Sequence, residues 1–169
     1  NKINLLVKNK LKLKKSSKFL NHTKSLSTQS LIISPSDFGK HNAIKFKKNY
    51  KYFDFEYLGL DDPIKLLSDF YFHPAMELNL NYKNYWISKF NSNFYSLNYN
   101  RLFFLLPIYG LIWTHIIIKD FTFDNWNKKK LIKNISNDEK KLLFTKQINK
   151  VKFILKSIEL FEMKYNLCN

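Results

Sequence analysis

Cysteine, glycine, proline, alanine and arginine are nearly missing from this chain of 169 residues. The one cysteine, Cys168, sits next to the C-terminus. It allows no internal disulfide and no cysteine-based zinc cluster, and reads as a stray thiol. Three glycines nearly exclude the tight loops that cradle phosphates. The sequence holds no G-x-G-x-x-G, no phosphate-binding loop, no H-E-x-x-H and no C-x-x-C. Arginine occurs once, at Arg101, against 28 lysines. Bidentate and stacking guanidinium contacts are what many RNA sites use, so a nucleic-acid partner is disfavoured despite a formal charge of +16.

What is abundant explains part of that charge. Lysine, 20 asparagines, 16 isoleucines, 16 phenylalanines and 10 tyrosines dominate. These residues have AT-rich codons, so compositional drift, as in an AT-rich protist, accounts for some of the lysine load. Against this background one run stands out. The seventeen residues Leu102–Ile118 (LFFLLPIYGLIWTHIII) carry no acid and no lysine or arginine, between Arg101 and Lys119-Asp120. As a helix the run would be roughly 26 Å long, against a hydrocarbon core of about 30 Å. Eleven of its residues are Leu, Ile or Phe, together favouring insertion by about 3 to 7 kcal/mol, less what Pro107, Gly110, Thr114 and His115 subtract. Trp113 and Tyr109 inside, with Tyr95, Tyr99, Phe121, Phe123 and Trp126 outside, resemble the aromatic belts at headgroup depth. A transmembrane helix is the expected reading, and a buried core helix is the competing one.

The run divides the chain into four stretches. Residues 1–36 contain eight lysines, no acid and a Ser/Thr cluster at Ser25, Ser27, Thr28 and Ser30. That is the composition of a mitochondrial transit peptide, with lysine in place of arginine; a basic arm on phospholipid or RNA is the alternative. With no initiator Met, the chain is expected to begin part-way into a longer product. Residues 37–101 form an aromatic-rich pre-membrane arm. Tyr50–Tyr57 alternates as a short strand or extended segment. Asp61-Asp62-Pro63 reads as a helix start, with Ile64, Leu67, Phe70 and Tyr71 on one face, and His73-Pro74 ends that helix. Leu78–Tyr99 reads as an extended or interfacial run. After the span at 102–118, the basic tail 119–169 carries a capping box, Ser136 with Glu139, at the head of a helix over about 137–165. Phe144, Ile148, Val151, Leu155 and Ile158 recur at heptad-like steps, widened by Ile154, Phe161 and Tyr165. Such a stripe calls for a partner subunit, the chain's own pre-membrane arm or a membrane surface. The fold class expected is therefore mainly α: a single-pass transmembrane helix, an irregular N-terminal arm and a long amphipathic C-terminal helix.

No residue set argues for catalysis, a cofactor or a metal. His115 is the one ionisable side chain inside the span and could ligate haem or relay protons. It has no second intramembrane histidine or carboxylate, and lies four residues from Lys119. A hydrogen bond to a neighbouring helix or headgroup explains it better, and with Trp113 it is expected at a lipid or subunit interface. Asp61 and Asp62 are read as a helix cap rather than an acid pair. His73 lacks a Cys or His companion at ligand spacing. Lys128, Lys129 and Lys130 suit either a cardiolipin-like headgroup or a solvated juxtamembrane face. Near the span Lys119, Lys128, Lys129, Lys130 and Lys133 outnumber Lys83, Lys89 and Arg101, which favours the C-side in the matrix; a presequence followed by a stop-transfer span favours the reverse.

From His73 onward the order of features resembles the beta-subcomplex subunit 4 family of respiratory complex I. The shared features are Pro74-Ala75-Met76, the Asn-rich aromatic approach containing Asn93-Phe94, a span with Gly and Pro, the exit Ile116-Ile117-Ile118-Lys119 and the lysines at 128–130. The resemblance covers about a third of the chain. His73 replaces the usual Asn, the Pro expected after Phe94 is missing, and the long C-terminal helix departs from the family pattern. It implies a non-catalytic accessory subunit in the proton-pumping arm. The expectation is thus an accessory subunit of a mitochondrial inner-membrane respiratory-chain assembly, complex I first, with other subunits and lipid as partners. A subunit of ATP synthase or another respiratory complex, or a mitochondrial ribosomal protein on rRNA, is the alternative.

Overall fold

The computed structural model describes residues 26–76, 78–93, 98–119, 121–122, 125–127 and 135–165, with 91–93 described by their backbone alone. The transit-peptide-like residues 1–25, Lys128–Lys130 and Cys168 lie outside the described residues. The described chain is mainly helical. Its residues fall into two compact units, with the division after Tyr109.

In the first unit the arm is less irregular than its sequence suggests. β1 (Ile32–Ser34) pairs antiparallel with β4 (Gly59–Asp61), placing Ile33 opposite Leu60. β2 (Ala43–Phe46) pairs antiparallel with β3 (Asn49–Tyr52), with Phe46 opposite Asn49, so the connecting loop is Lys47-Lys48. Lys47 takes a φ of 55° there, in the left-handed region that glycine normally occupies. The expected extended segment at Tyr50–Tyr57 is thus a strand over its first residues only. Of the stretch 1–36, the described residues Ile32–Ser34 pair with Gly59–Asp61 of the pre-membrane arm.

Helix α1 (Pro63–Phe72) starts where the sequence places it: the Asp62 side chain accepts from Ile64 N, Pro63 opens the first turn, and His73 is the C-cap. Ile64, Leu67 and Tyr71 are buried as one face. Helix α2 (Leu80–Asn93) corrects the extended reading of Leu78–Tyr99. Its buried face is Lys83, Ile87 and Phe90, steps of four and three. Trp86 anchors it to α1: its ring lies 4.2 Å from Phe70, and its Nε1 donates to Leu67 O at 3.3 Å. Phe38 closes the cluster, with its ring centroid 5.5 Å from Phe70.

Helix α3 (Tyr99–Lys119) is unbroken across Pro107 and contains the whole apolar run. In the second unit, α4 (Asn137–Lys164) has the expected capping box: Glu139 N donates to Ser136 Oγ, and Ser136 N donates to the Glu139 carboxylate. Phe144 on α4 meets Phe121 and Trp126 at ring distances of 4.5 and 5.0 Å.

Candidate functional site

The surface of α3 is the first candidate. Leu102, Leu106, Gly110, Thr114 and Ile117 are buried at steps of four, four, four and three, with Leu105 and Pro107 beside them. That is one face of a helix. The face away from it is not polar: it includes Phe104, Ile108, Ile112 and Ile116. Ile112 and Ile116 are 47% and 48% exposed, and 39% of the most apolar stretch is buried. Trp113 is half-buried, and His115 is exposed on that second face. Among the described residues this is the one helix long and apolar enough to cross a membrane.

The start of α3 is tied to the start of α1 by the chain's single arginine. Arg101 Nη1 donates to Asp62 Oδ1 at 2.9 Å, and Nη2 donates to Oδ2. Both side chains are largely buried, and the same Asp62 Oδ1 caps α1. Lysine could not make this two-pronged contact, which explains why one arginine stands where lysine otherwise prevails. Neighbouring Asp61 pairs with Lys65, which also reaches Asp69, at 2.9 and 2.8 Å. Burial would lower the Lys65 pKa, but the two carboxylates outweigh it and the net direction is upward. The two aspartates therefore act as a cap and an ion-pair partner.

On α4 the stripe is present but turned. Val151 and Ile158 are buried, Phe144 and Leu155 are half-buried, and Ile148 is 45% exposed. Ile154 and Phe161, expected only to widen the stripe, are at its centre with 2% exposure each. At 100° per residue the buried face is rotated by about 60° from the heptad line. Leu142, Phe153 and Leu160 form a second, exposed apolar line among lysines. Trp126 Nε1 is buried and has no hydrogen-bond partner among the described residues.

Lys83 is 1% exposed, and its Nζ sits 4.5 Å from the centre of the Tyr71 ring. Burial pushes its pKa down to about 8.

Folding gives His73 the companions that its sequence spacing denies it. Its Nε2 lies 3.2 Å from Asp37 Oδ1, and His41 Nε2 lies 3.0 Å from the same oxygen. The two imidazole rings are stacked, 4.3 Å apart and 8° from parallel. Asn42 Nδ2 donates to Asp37 Oδ2 at 3.3 Å, so the other oxygen faces the histidines. Ala75 N donates to His73 Nδ1 at 3.1 Å, which puts the proton of neutral His73 on Nε2, where it can donate to Asp37. That amide–imidazole bond contributes about 1 kcal/mol. Gly39 leaves room for this packing: a Cβ there would come within 2.7 Å of the His41 ring and 3.0 Å of Met76 Sδ and would displace the ring. Sequence spacing could reveal the i,i+4 pair Asp37–His41, but not the return of His73 after a hairpin and a helix.

No protein family, curated protein or solved structure matches the chain. The α3 surface, the α4 stripe and the Asp37–His41–His73 cluster therefore carry the functional reading.

Proposed function

We propose that the protein is a non-catalytic accessory subunit of a membrane protein complex, anchored by α3 as a single transmembrane helix. The observation that carries this reading is that α3 is apolar on all sides while only one face is covered. A helix of a water-soluble domain turns polar residues to solvent; one that is apolar all round needs lipid or another apolar body. The buried face suits attachment to protein and the Ile112–Ile116 face suits lipid or a neighbouring subunit. The second apolar line on α4, with Leu142, Phe153 and Leu160 exposed, adds surface suited to association.

The mitochondrial inner membrane, and a respiratory-chain assembly within it, follow from the transit-peptide composition of residues 1–36 and from the order of features between His73 and Lys130. Complex I is the first assignment, on the resemblance to its beta-subcomplex subunit 4 family. Alkaline carbonate extraction of mitochondria tests the anchor: the chain is expected in the pellet, and release with the soluble fraction overturns the membrane reading. Native gel separation with mass spectrometry then tests the assembly. Co-migration with complex I subunits is expected, while co-migration with ATP synthase or ribosomal proteins reassigns the chain.

A further inference from the structure

We propose that Asp37, His41 and His73 bind one divalent cation of the zinc class through two imidazoles and one carboxylate. Donor atoms of the three residues all lie within 4.8 Å of one another. The Nε2–Oδ1 separations are 3.0 and 3.2 Å. Ligand–ligand edges in a tetrahedral zinc site with bonds of about 2.0 to 2.1 Å are about 3.3 to 3.4 Å. Those two edges are within a few tenths of an ångström of a tetrahedral site's, and entry of an ion also requires the stacked rings, 8° from parallel, to rotate until both Nε2 lone pairs converge on it. Two imidazoles and a carboxylate suit zinc, cobalt, nickel or copper; magnesium and calcium take mainly oxygen ligands.

The surroundings supply part of what such a site needs. Asn42 holds Asp37 Oδ2, which aims Oδ1 at the imidazoles. Side-chain exposures of 27%, 40% and 12% for His41, Asp37 and His73 leave a route in, and three protein ligands leave a fourth position for water. The contacts already present oppose loading: two Nε2–Asp37 contacts, the ring stacking and the bond from Ala75 N. Coordination through His73 Nε2 moves its proton to Nδ1, so the ring must turn away from the Ala75 N–H. The shift exchanges one neutral tautomer for the other and releases no net proton. The amide–imidazole hydrogen bond and the two Nε2–Asp37 contacts are given up against coordination by three side chains, and coordination is much the larger. The ion would staple the loop around Asp37–His41 to the end of α1. This site depends on the arm alone and not on the membrane reading.

The test uses the full chain in detergent, stripped with EDTA, dialysed and titrated with Co²⁺ as an optical probe. One Co²⁺ per chain with the visible absorption of a four-coordinate ion, displaced by Zn²⁺, is expected. His41→Gln and His73→Gln should each weaken binding at least tenfold, because glutamine can still donate to Asp37 but is a poor ligand. His115→Ala, outside the cluster, should bind as the parent does. Circular dichroism checks that each variant is folded, and His41→Gln, at the more exposed histidine, carries the test if His73→Gln is not. Absence of stoichiometric Co²⁺ binding, or binding that survives His41→Gln in folded protein, overturns the proposal.

Discussion

At the scale of the residue, Arg101 and Lys83 carry buried charge to opposite effect, one forked onto a carboxylate and one set against aromatic rings. Arg101→Lys keeps the charge and loses the fork to Asp62. Removing one partner of a buried pair outright costs about 3 to 5 kcal/mol, so the conservative change should cost less, about 1 to 2 kcal/mol. Denaturant unfolding of the full chain in detergent measures it, and an unchanged midpoint would show that the fork adds no stability. Lys83 makes a pH prediction. Its folded pKa of about 8 lies below the unfolded value near 10.4, so the unfolded chain holds more protons between those values. Stability contributed by this group therefore rises with pH across that window, by roughly 3 kcal/mol in total, and the penalty is fully present at pH 7. Lys83→Met should raise stability at pH 7 and flatten the pH 7–10 profile. A Met variant with the parent's slope would show that Lys83 is not the group responsible.

At the scale of the element, α4 and α2 show what local sequence can specify. The capping box of α4 satisfies two backbone groups with residues three apart, a purely local arrangement, so its start was legible at Ser136. Ser136→Ala should destabilise the helix by about 1 kcal/mol, read as a lower thermal midpoint and more fraying by amide exchange near 137–140. Helix α2 was illegible because Lys83 occupies a core position in its apolar face. With a lysine in that row, Leu78–Tyr99 reads as polar-aromatic text rather than as an amphipathic helix. The β2–β3 hairpin was hidden for a related reason. Its loop is Lys47-Lys48, with Lys47 at positive φ, rather than the Asn-Gly or Asp-Gly pair that announces a two-residue turn. On α4 the heptad line picked Ile148, which is exposed, ahead of Ile154, which is buried. Periodicity finds a stripe, but neighbouring elements decide its centre.

At the scale of the whole molecule, the proposed anchor is tested by what covers α3. If lipid or a neighbouring subunit covers Ile112 and Ile116, a lysine at Ile112, near the centre of the run, costs about 2.5 to 3.5 kcal/mol of insertion, and one at Ile116, three residues from Lys119, costs less. Were the helix a soluble one, the same changes at half-exposed sites would lie within about 0.5 kcal/mol of neutral. Ile112→Lys with Ile116→Lys should accordingly convert the chain from carbonate-resistant to extractable, or prevent its accumulation. Normal abundance and membrane retention in the double variant would count against an apolar covering on that face.

The sequence alone determined what depends on near neighbours: the cap at Asp62, the stop at His73, the capping box at Ser136 and the length and apolarity of α3. It also narrowed the chemistry, because a single cysteine allows no internal disulfide and three glycines leave little room for phosphate-cradling loops. Tertiary structure decided what depends on residues distant along the chain. It paired β1 with β4, gave the only arginine its carboxylate, turned the α4 stripe towards Ile154 and brought His73 to Asp37 and His41. The physical reason is range. Capping and helical periodicity act within a few residues, whereas ion pairs, strand partners and shared ligands form only after the intervening chain has folded back on itself.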